Sequence, residues 1–483
     1  MAFDLAPFAE RRRRFAEAIG DALAIIPAAR ETPRNADTNF EFRQDSDFYF
    51  LTGFDEPDAV AVINPSHAKE RFVLFVRSRD REMEIWHGRR AGVEGAIATY
   101  GADAAYTVDE LDAKLRTYAV DRPAVVYRFG NPHHDGRITR LLAEMRGARA
   151  RGFVTPTRVE EPAPILHDLR LRRSPDELGR QRRACEISRD AHIEAMRFAR
   201  PGQYEYEVQA ALEFVFRTGG SPRNAYPSIV ASGPNATILH YSENARRMED
   251  GDLLLIDAGC EWGYHAADIT RTFPVNGRFT PPQRRIYEVV LRAQLAGIAA
   301  ARPGHPYEAV HEAARRALTE GLVELGLLPQ SVEDSLAMHL YREFYMHGTG
   351  HWLGMDVHDV GDYRVRRQSR ELEPGMVLTV EPGLYFDPER PTVTFHLREY
   401  SEEEVWERRV RLGTVAAKTI EDEEKARAGT VVHPLPAEYL GIGIRIEDDI
   451  LITADGAAVL TAGTPKTVDE IERTCAETPH LPR

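Results

Sequence analysis

Apolar runs and helical stripes alternate along the first third of the chain. Residues 7–20 carry a helical pattern, and so do 108–118 and 137–147. Ala59–Ile63 and Arg71–Val76 are short apolar runs around Asn64-Pro65-Ser66, which predicts a strand pair; Ala124–Tyr127 predicts another strand. Residues 34–58 mix polar and aromatic positions without a period and read as loop. Strands alternating with helices predict a small α/β domain. Pro156, Pro162 and Pro164 predict a linker, which sets the domains at 1–172 and 173–483.

The second domain opens on Ser174-Pro175-Asp176-Glu177, with Ser at the N-cap, Pro at the first helical position and Glu at the third. That is a capping box. A long helix should run to about Arg200 and stop at Pro201-Gly202; a second, about 204–218, should end at Gly219-Gly220. Tyr226–Ser232 reads as a strand, and Leu253–Ile256 as a buried strand that ends in Asp257. A second short strand follows, flanked by Tyr264, His265, Asp268, Thr270 and Arg271. Helices are expected at 281–301 and 306–327. Glu381 closes an apolar strand that Pro382-Gly383 stops, and Arg445 and Glu447 lie two apart, on one face of a late strand.

Composition narrows the function classes. At 483 residues, 43% apolar and 29% charged, the chain has the makings of an ordinary globular protein with two or three domains. A formal charge of -14 argues against nonspecific nucleic-acid binding. Cys185, Cys260 and Cys475 are far apart and match no zinc spacing, which suits a reducing cytoplasm. No stretch approaches a transmembrane helix. The run Arg11–Arg14 is followed by no apolar segment, so it reads as the wet face of the first helix rather than a secretory signal.

The chemistry gathers at residues 347–361, where His347, His351 and His358 sit among Gly348, Gly350 and Gly354. The glycines leave an irregular backbone that can approach a ligand closely. Neutral imidazole is both a metal ligand and a general acid or base. Asp257 alone would read as a turn residue, but across a hairpin Asp257 and Asp268 can point into one site. Two Asp, one His and two Glu at strand ends make a carboxylate-rich set able to hold two divalent ions. Oxygen donors with a single imidazole favour Mn²⁺ over Co²⁺, Fe²⁺ or Zn²⁺.

The order Asp257, Asp268, His351, Glu381, Glu447 resembles the ligand set of the pita-bread metallopeptidases, which include methionine aminopeptidase, prolidase and aminopeptidase P. Arg34-Asn35-Ala36-Asp37, Phe42–Tyr49 and Trp86–Arg90 resemble the amino domain of aminopeptidase P. The resemblance covers nearly the whole chain. It implies a small α/β amino domain, concerned with oligomerisation and the substrate entrance, followed by a pita-bread catalytic domain. It also implies two metal ions, usually manganese, a homo-oligomer (dimer or tetramer), and cleavage after the first residue of peptides with Pro second. By the same resemblance Asp268 and Glu447 bridge the metals, His351 and Glu381 complete one site, and Asp257 chelates at the other. Glu381 is the expected proton shuttle; His240, His347 and His358 hold the substrate and the oxyanion. Arg445 is expected beside a ligand Asp or a substrate carboxylate. Tyr385, and Trp86 from a neighbouring subunit, are expected to wall the slot for the proline ring. Prolidase shares these residues, so a dipeptidase stays open at this point, as does a binding module without activity.

One departure from the family stands out: residues of about 387–438 intervene between Glu381 and Glu447, where the connection is normally much shorter. Thr392–Leu397 alternates as a strand, Ser401–Glu404 resembles a capping box ahead of a short helix, and the charge run Glu421–Lys425 reads as a solvated loop.

Overall fold

The computed structural model describes residues 4–399 and 401–481. The chain forms two compact units, Met1–Arg170 and Leu171–Arg483. Among the described residues no helix is long and apolar enough to cross a membrane.

The first unit is built on a six-stranded mixed sheet. Its spatial order is Ala104–Thr107, Phe72–Val76, Val60–Ile63, Leu23–Pro27, Ala124–Val126, Arg158–Glu160. Phe72–Val76 and Val60–Ile63 pair antiparallel, as the turn at Asn64-Pro65-Ser66 requires. Both strands are buried along their whole length, which accounts for apolar runs without alternation. Two expectations fail in this unit. The supposed loop 34–58 contains the hairpin Pro33–Asn35/Thr38–Asn39 and the helix Ser46–Thr52. All seven residues of that helix are buried, so it has no polar face and no readable period. Its N-cap is Asp45, whose side chain accepts from the Phe48 amide at 2.8 Å. The supposed linker holds the strand Arg158–Glu160 and the helix Ala163–Leu171; Pro164 falls near that helix's start, where proline is tolerated.

In the second unit the box at Ser174 caps the helix Pro175–Phe198, with Ser174 Oγ and Glu177 satisfying each other's end groups. Helices Glu205–Thr218, Pro281–Ala300 and Glu308–Glu324 follow close to their expected bounds. They share one hydrophobic core with small antiparallel sheets. Three pairings position the site. Leu253–Asp257 lies between Ile229–Ser232 and Thr270–Pro274, with Asp257 opposite Thr270. Val377–Val380 pairs with Asp448–Ile452, with Val380 opposite Asp448. Gly383–Tyr385 pairs with Gly443–Arg445, with Gly383 opposite Arg445. Arg445 and Glu447 therefore do not share one strand: the chain changes partners between them. Close approach demands glycine at two positions flanking the site residues. A Cβ on Gly259 would meet the Ala267 carbonyl oxygen at 1.8 Å, and one on Gly350 would meet that of Thr379 at 2.0 Å.

Candidate active site

The register brings the expected residues to one place. Asp257 ends its strand, and Asp268 lies two residues before its opposite number Thr270. The Glu447 amide donates to the Thr270 carbonyl at 3.1 Å, which joins the third carboxylate to that strand. Because Val380 faces Asp448, the residues one step beyond each strand end, Glu381 and Glu447, come together. The glycine-rich segment runs beside the same strand: the Glu381 amide donates to Thr349 at 2.7 Å, and the Thr379 amide donates to His351 at 2.9 Å. All five expected metal ligands, with His240, His347, His358 and Arg445, line one cavity of about 540 Å³.

The distances inside it suit a cation. One donor atom each from Asp268, His351 and Glu447 lie within 4.8 Å of one another. His351 Nε2 is 3.4 Å from Asp268 and 3.6 Å from Glu381. Its Nδ1 is 3.0 Å from the Trp352 carbonyl, so Nδ1 carries a proton and Nε2 is the atom turned to the carboxylates; against the lowering by burial, Asp268 and Glu381 raise the imidazole to about 9, and a cation at Nε2 would take the place of that second proton. That is the arrangement of a histidine prepared for metal. Burial, followed by mutual repulsion among the acids, raises the carboxyls of Glu381 and Glu447; burial raises Asp268 as well. Four acids share the cavity with one arginine, and divalent ions would supply the positive charge that the set still lacks. The donor set therefore fits a metal centre.

Hydrogen bonds hold the ligands from behind. The Tyr226 hydroxyl lies against Asp257 and Asp268, and Thr270 Oγ1 donates to Glu447 at 2.7 Å. Arg445 is 4% exposed and donates to Asp257 at 2.5 Å and to the Tyr385 hydroxyl at 3.0 Å. His347 Nε2 is 2.9 Å from the same hydroxyl. Burial, and then the Arg445 charge, lower the His347 imidazole to about 3, so it is neutral at physiological pH. A consistent assignment has Arg445 donating to the Tyr385 oxygen and Tyr385 donating to His347. His358 meets His351 edge to face at 4.3 Å, and His240 and His358 are both exposed. Burial, then His351 and His240, lower the His358 imidazole.

Two residues expected at the proline slot stand differently. Tyr385 is 3% exposed and reaches the site through its hydroxyl, not as an apolar wall. Trp86 is on the short helix Arg81–His87 of the first unit and is 77% exposed. Sequence reasoning missed Tyr226 as a partner of the acids. It had been placed in a strand that in fact begins at Ile229. Thr270 was noticed without a role; its place beside Glu447 depends on a contact across 177 positions. A larger cavity, about 860 Å³, lies in the first unit, but its charges are paired among themselves and their neighbours: Arg30 with Asp58, Arg128 with Asp47. Volume there is not matched by convergent chemistry.

Small antiparallel sheets wrapped by helices around a five-residue acidic and imidazole centre define a pita-bread metallopeptidase. The comparisons agree. The profile of metallopeptidase family M24 matches residues 179–454, and that of the aminopeptidase P N-terminal domain matches residues 8–127. The chain belongs to metallopeptidase family M24. It is 40% identical over 469 residues to the Xaa-Pro aminopeptidase of Escherichia coli (strain K12), covering 96% of each chain. The structure of Pseudomonas aeruginosa aminopeptidase PepP superposes with a TM-score of 0.87 at 43% identity, covering 98% of both chains. Zn-substituted E. coli aminopeptidase P in complex with product superposes at 0.85 with 39% identity, covering 98% of this chain and 99% of the other.

Proposed function

We propose that this chain is an Xaa-Pro aminopeptidase, releasing the first residue of peptides whose second residue is proline. The observation that carries the reading is the convergence of Asp257, Asp268, His351, Glu381 and Glu447 in one cavity, in a chain similar to Xaa-Pro aminopeptidases over almost its full length. Those five residues would hold two divalent ions, Asp268 and Glu447 between them, His351 and Glu381 at one and Asp257 at the other. Oxygen donors with one imidazole favour Mn²⁺. Bound ions of this kind make water nucleophilic at neutral pH and polarise the scissile carbonyl.

The protein's own groups do the rest. Glu381 takes a proton from the attacking water and delivers it to the leaving nitrogen. That delivery is essential, because the leaving nitrogen must gain a proton to depart as the neutral amine of the proline residue. His240 and His358, exposed in the cavity, contact the peptide, and neutral His347 donates to the developing oxyanion. The one proton of neutral His347 sits on Nδ1, 2.8 Å from the Gly348 carbonyl, so to donate to substrate the ring must turn or change tautomer as the peptide enters. Arg445 holds Asp257 and fixes the Tyr385 hydroxyl. We assign the wall of the proline slot to Trp86 supplied by a second copy of the chain in a homo-oligomer, and leave Tyr385 the polar role its hydroxyl allows. Three buried cysteines without disulfides favour a cytoplasmic location.

The test is a peptide panel on metal-stripped and Mn²⁺-reloaded enzyme. Xaa-Pro-Xaa tripeptides should be cut at the Xaa-Pro bond, and peptides lacking proline should be refused. Cleavage of Xaa-Pro dipeptides alone would make the enzyme a prolidase. No cleavage of either by the reloaded enzyme would leave a binding module.

A further inference from the structure

The loop between His347 and His351 is a thin partition. Gly348 and Gly350 line the catalytic cavity on one side, and on the other a second cavity of about 210 Å³. A polar scaffold holds the partition from that second side. Thr349, 2% exposed, has its Oγ1 2.6 Å from the Tyr345 hydroxyl and 2.8 Å from His311 Nδ1. Tyr345 lies just beyond the turn Leu340–Glu343, whereas His311 belongs to the helix Glu308–Glu324, so one hydroxyl ties the loop to two separate elements. One self-consistent assignment has Tyr345 donating to Thr349 and Thr349 donating to His311. The carbonyl of the same residue receives the Glu381 amide at 2.7 Å. Tyr307 donates to the next carbonyl, that of Gly350.

We infer that Thr349 is a positioning residue for Glu381: its hydroxyl, clamped by Tyr345 and His311, fixes the carbonyl that sets the height of Glu381 in the cavity. The inference rests on the function proposed above. A hydroxyl is required at 349, because only Ser or Thr can accept from one partner while donating to the other at this size. Valine has nearly the same shape and does neither. Losing the clamp lets the partition shift toward the second cavity and carries the Glu381 amide with it. A displacement of about 1 Å in a catalytic group costs on the order of 10²-fold in rate.

The test compares Thr349→Val, Thr349→Ser and Tyr345→Phe in the Mn²⁺-loaded full-length enzyme. For Thr349→Val the expected result is a kcat on an Xaa-Pro-Xaa peptide lower by about 10²-fold with KM little changed. Hydrogen exchange in the peptide carrying the Glu381 amide should speed up. Thr349→Ser should restore both readings, and Tyr345→Phe, which removes one tie, should fall between. Wild-type kcat and wild-type exchange in Thr349→Val would overturn the inference. So would a loss of activity that only tracks a lost folded or metal-loaded fraction and that serine does not repair. If the wild-type enzyme cleaves no Xaa-Pro peptide, the functional reading fails, and the exchange comparison still decides the role of Thr349.

Discussion

The hydroxyl oxygen of Tyr226 lies 2.5 Å from Oδ1 of Asp268, and 2.7 Å from Oδ1 of Asp257. A single hydroxyl hydrogen cannot serve both acids at once. Tyr226 therefore holds the two carboxylates in line, and a bound cation takes up the charge that one O–H leaves uncompensated. Tyr226→Phe should keep the fold and weaken metal binding by roughly 10–100-fold, the usual effect of losing a group that orients a ligand. Metal titration by calorimetry checks it; unchanged affinity would show the contact to be incidental.

Glu381 is proposed to combine two duties, ligand and proton carrier. A chelator should abolish activity and Mn²⁺ should restore it. Glu381→Ala should lose activity by at least roughly 10²–10⁴-fold, the share that general acid–base work alone supplies. Steady-state kinetics on an Xaa-Pro-Xaa peptide decide; full activity in this variant would remove the assignment.

His240, His347 and His358 are expected to act on the peptide and not on metal. Each His→Ala variant should lower turnover strongly while two metals stay bound. The contrast to watch is His347 against His351: both lie close to Glu381, but His347 touches Tyr385 and His351 faces Asp268. Elemental analysis showing an ion lost from His347→Ala would mean the two roles had been exchanged.

The acids of the site were legible as a set through their order along the chain, which resembles a known ligand set; Asp257 and Glu381 also close apolar strands, a local feature. Their partners were not. Tyr226, Thr270 and Thr349 acquire meaning only from contacts made across the sheets, and hydroxyl residues carry no periodic signal of their own. The same limit hid the helix Ser46–Thr52, whose complete burial erases the polar face that a stripe needs. The run Glu421–Lys425 misled in the opposite direction. It lies inside the helix Thr414–Arg427, where Glu421 faces Arg409 at 3.3 Å and Glu424 faces Arg408 at 2.7 Å. Charges that look destined for water can be the seam between two helices.

His192 offers a pH test of the scaffold beneath Asp257. It is fully buried, its Nε2 is 2.9 Å from the Ala258 carbonyl, and burial lowers its imidazole to about 4. The unfolded chain binds this proton near pH 6.5 and the folded chain only near 4. Stability from the neutral ring is therefore complete above pH 6.5 and is lost as pH falls through that window. At pH 5 the loss is about 2 kcal/mol. Thermal melts from pH 7.5 to 5 should fall more steeply for the wild type than for His192→Gln, which cannot titrate. Parallel curves would mean that the ring does not stay neutral in the fold.

Among the described residues, the segment between Glu381 and Glu447 folds in two parts. Strands Thr392–Leu397 and Gly429–Pro434 pair along six positions, and Val393 and Phe395 sink into the main core at 2% and 1% exposure. The expected strand is thus core structure. Beyond it, Ser401 Oγ accepts from the Glu404 amide at 3.3 Å and caps the helix Glu402–Leu412. Gly413, with φ of 79°, turns the chain into Thr414–Arg427. These helices leave Trp406, Val410 and Val415 at 44%, 64% and 82% exposure, and Glu407 reaches Arg367 of the hairpin Arg364–Val365/Gln368–Ser369 at 3.2 Å. Excising the whole of 390–436 would open the core, so the informative cut is residues 399–427, with Arg398 joined to Ala428 through a short Gly-Ser turn. Leu397 and Gly429 are already opposite each other, so the strand pair can survive. The two metals and dipeptide cleavage should persist. Exposed apolar side chains on a projecting hairpin are expected to meet substrate or another copy of the chain. The trimmed enzyme should therefore change its preference between tripeptides and longer Xaa-Pro peptides, or its mass by light scattering. If neither moves, the helical hairpin serves neither the substrate entrance nor assembly.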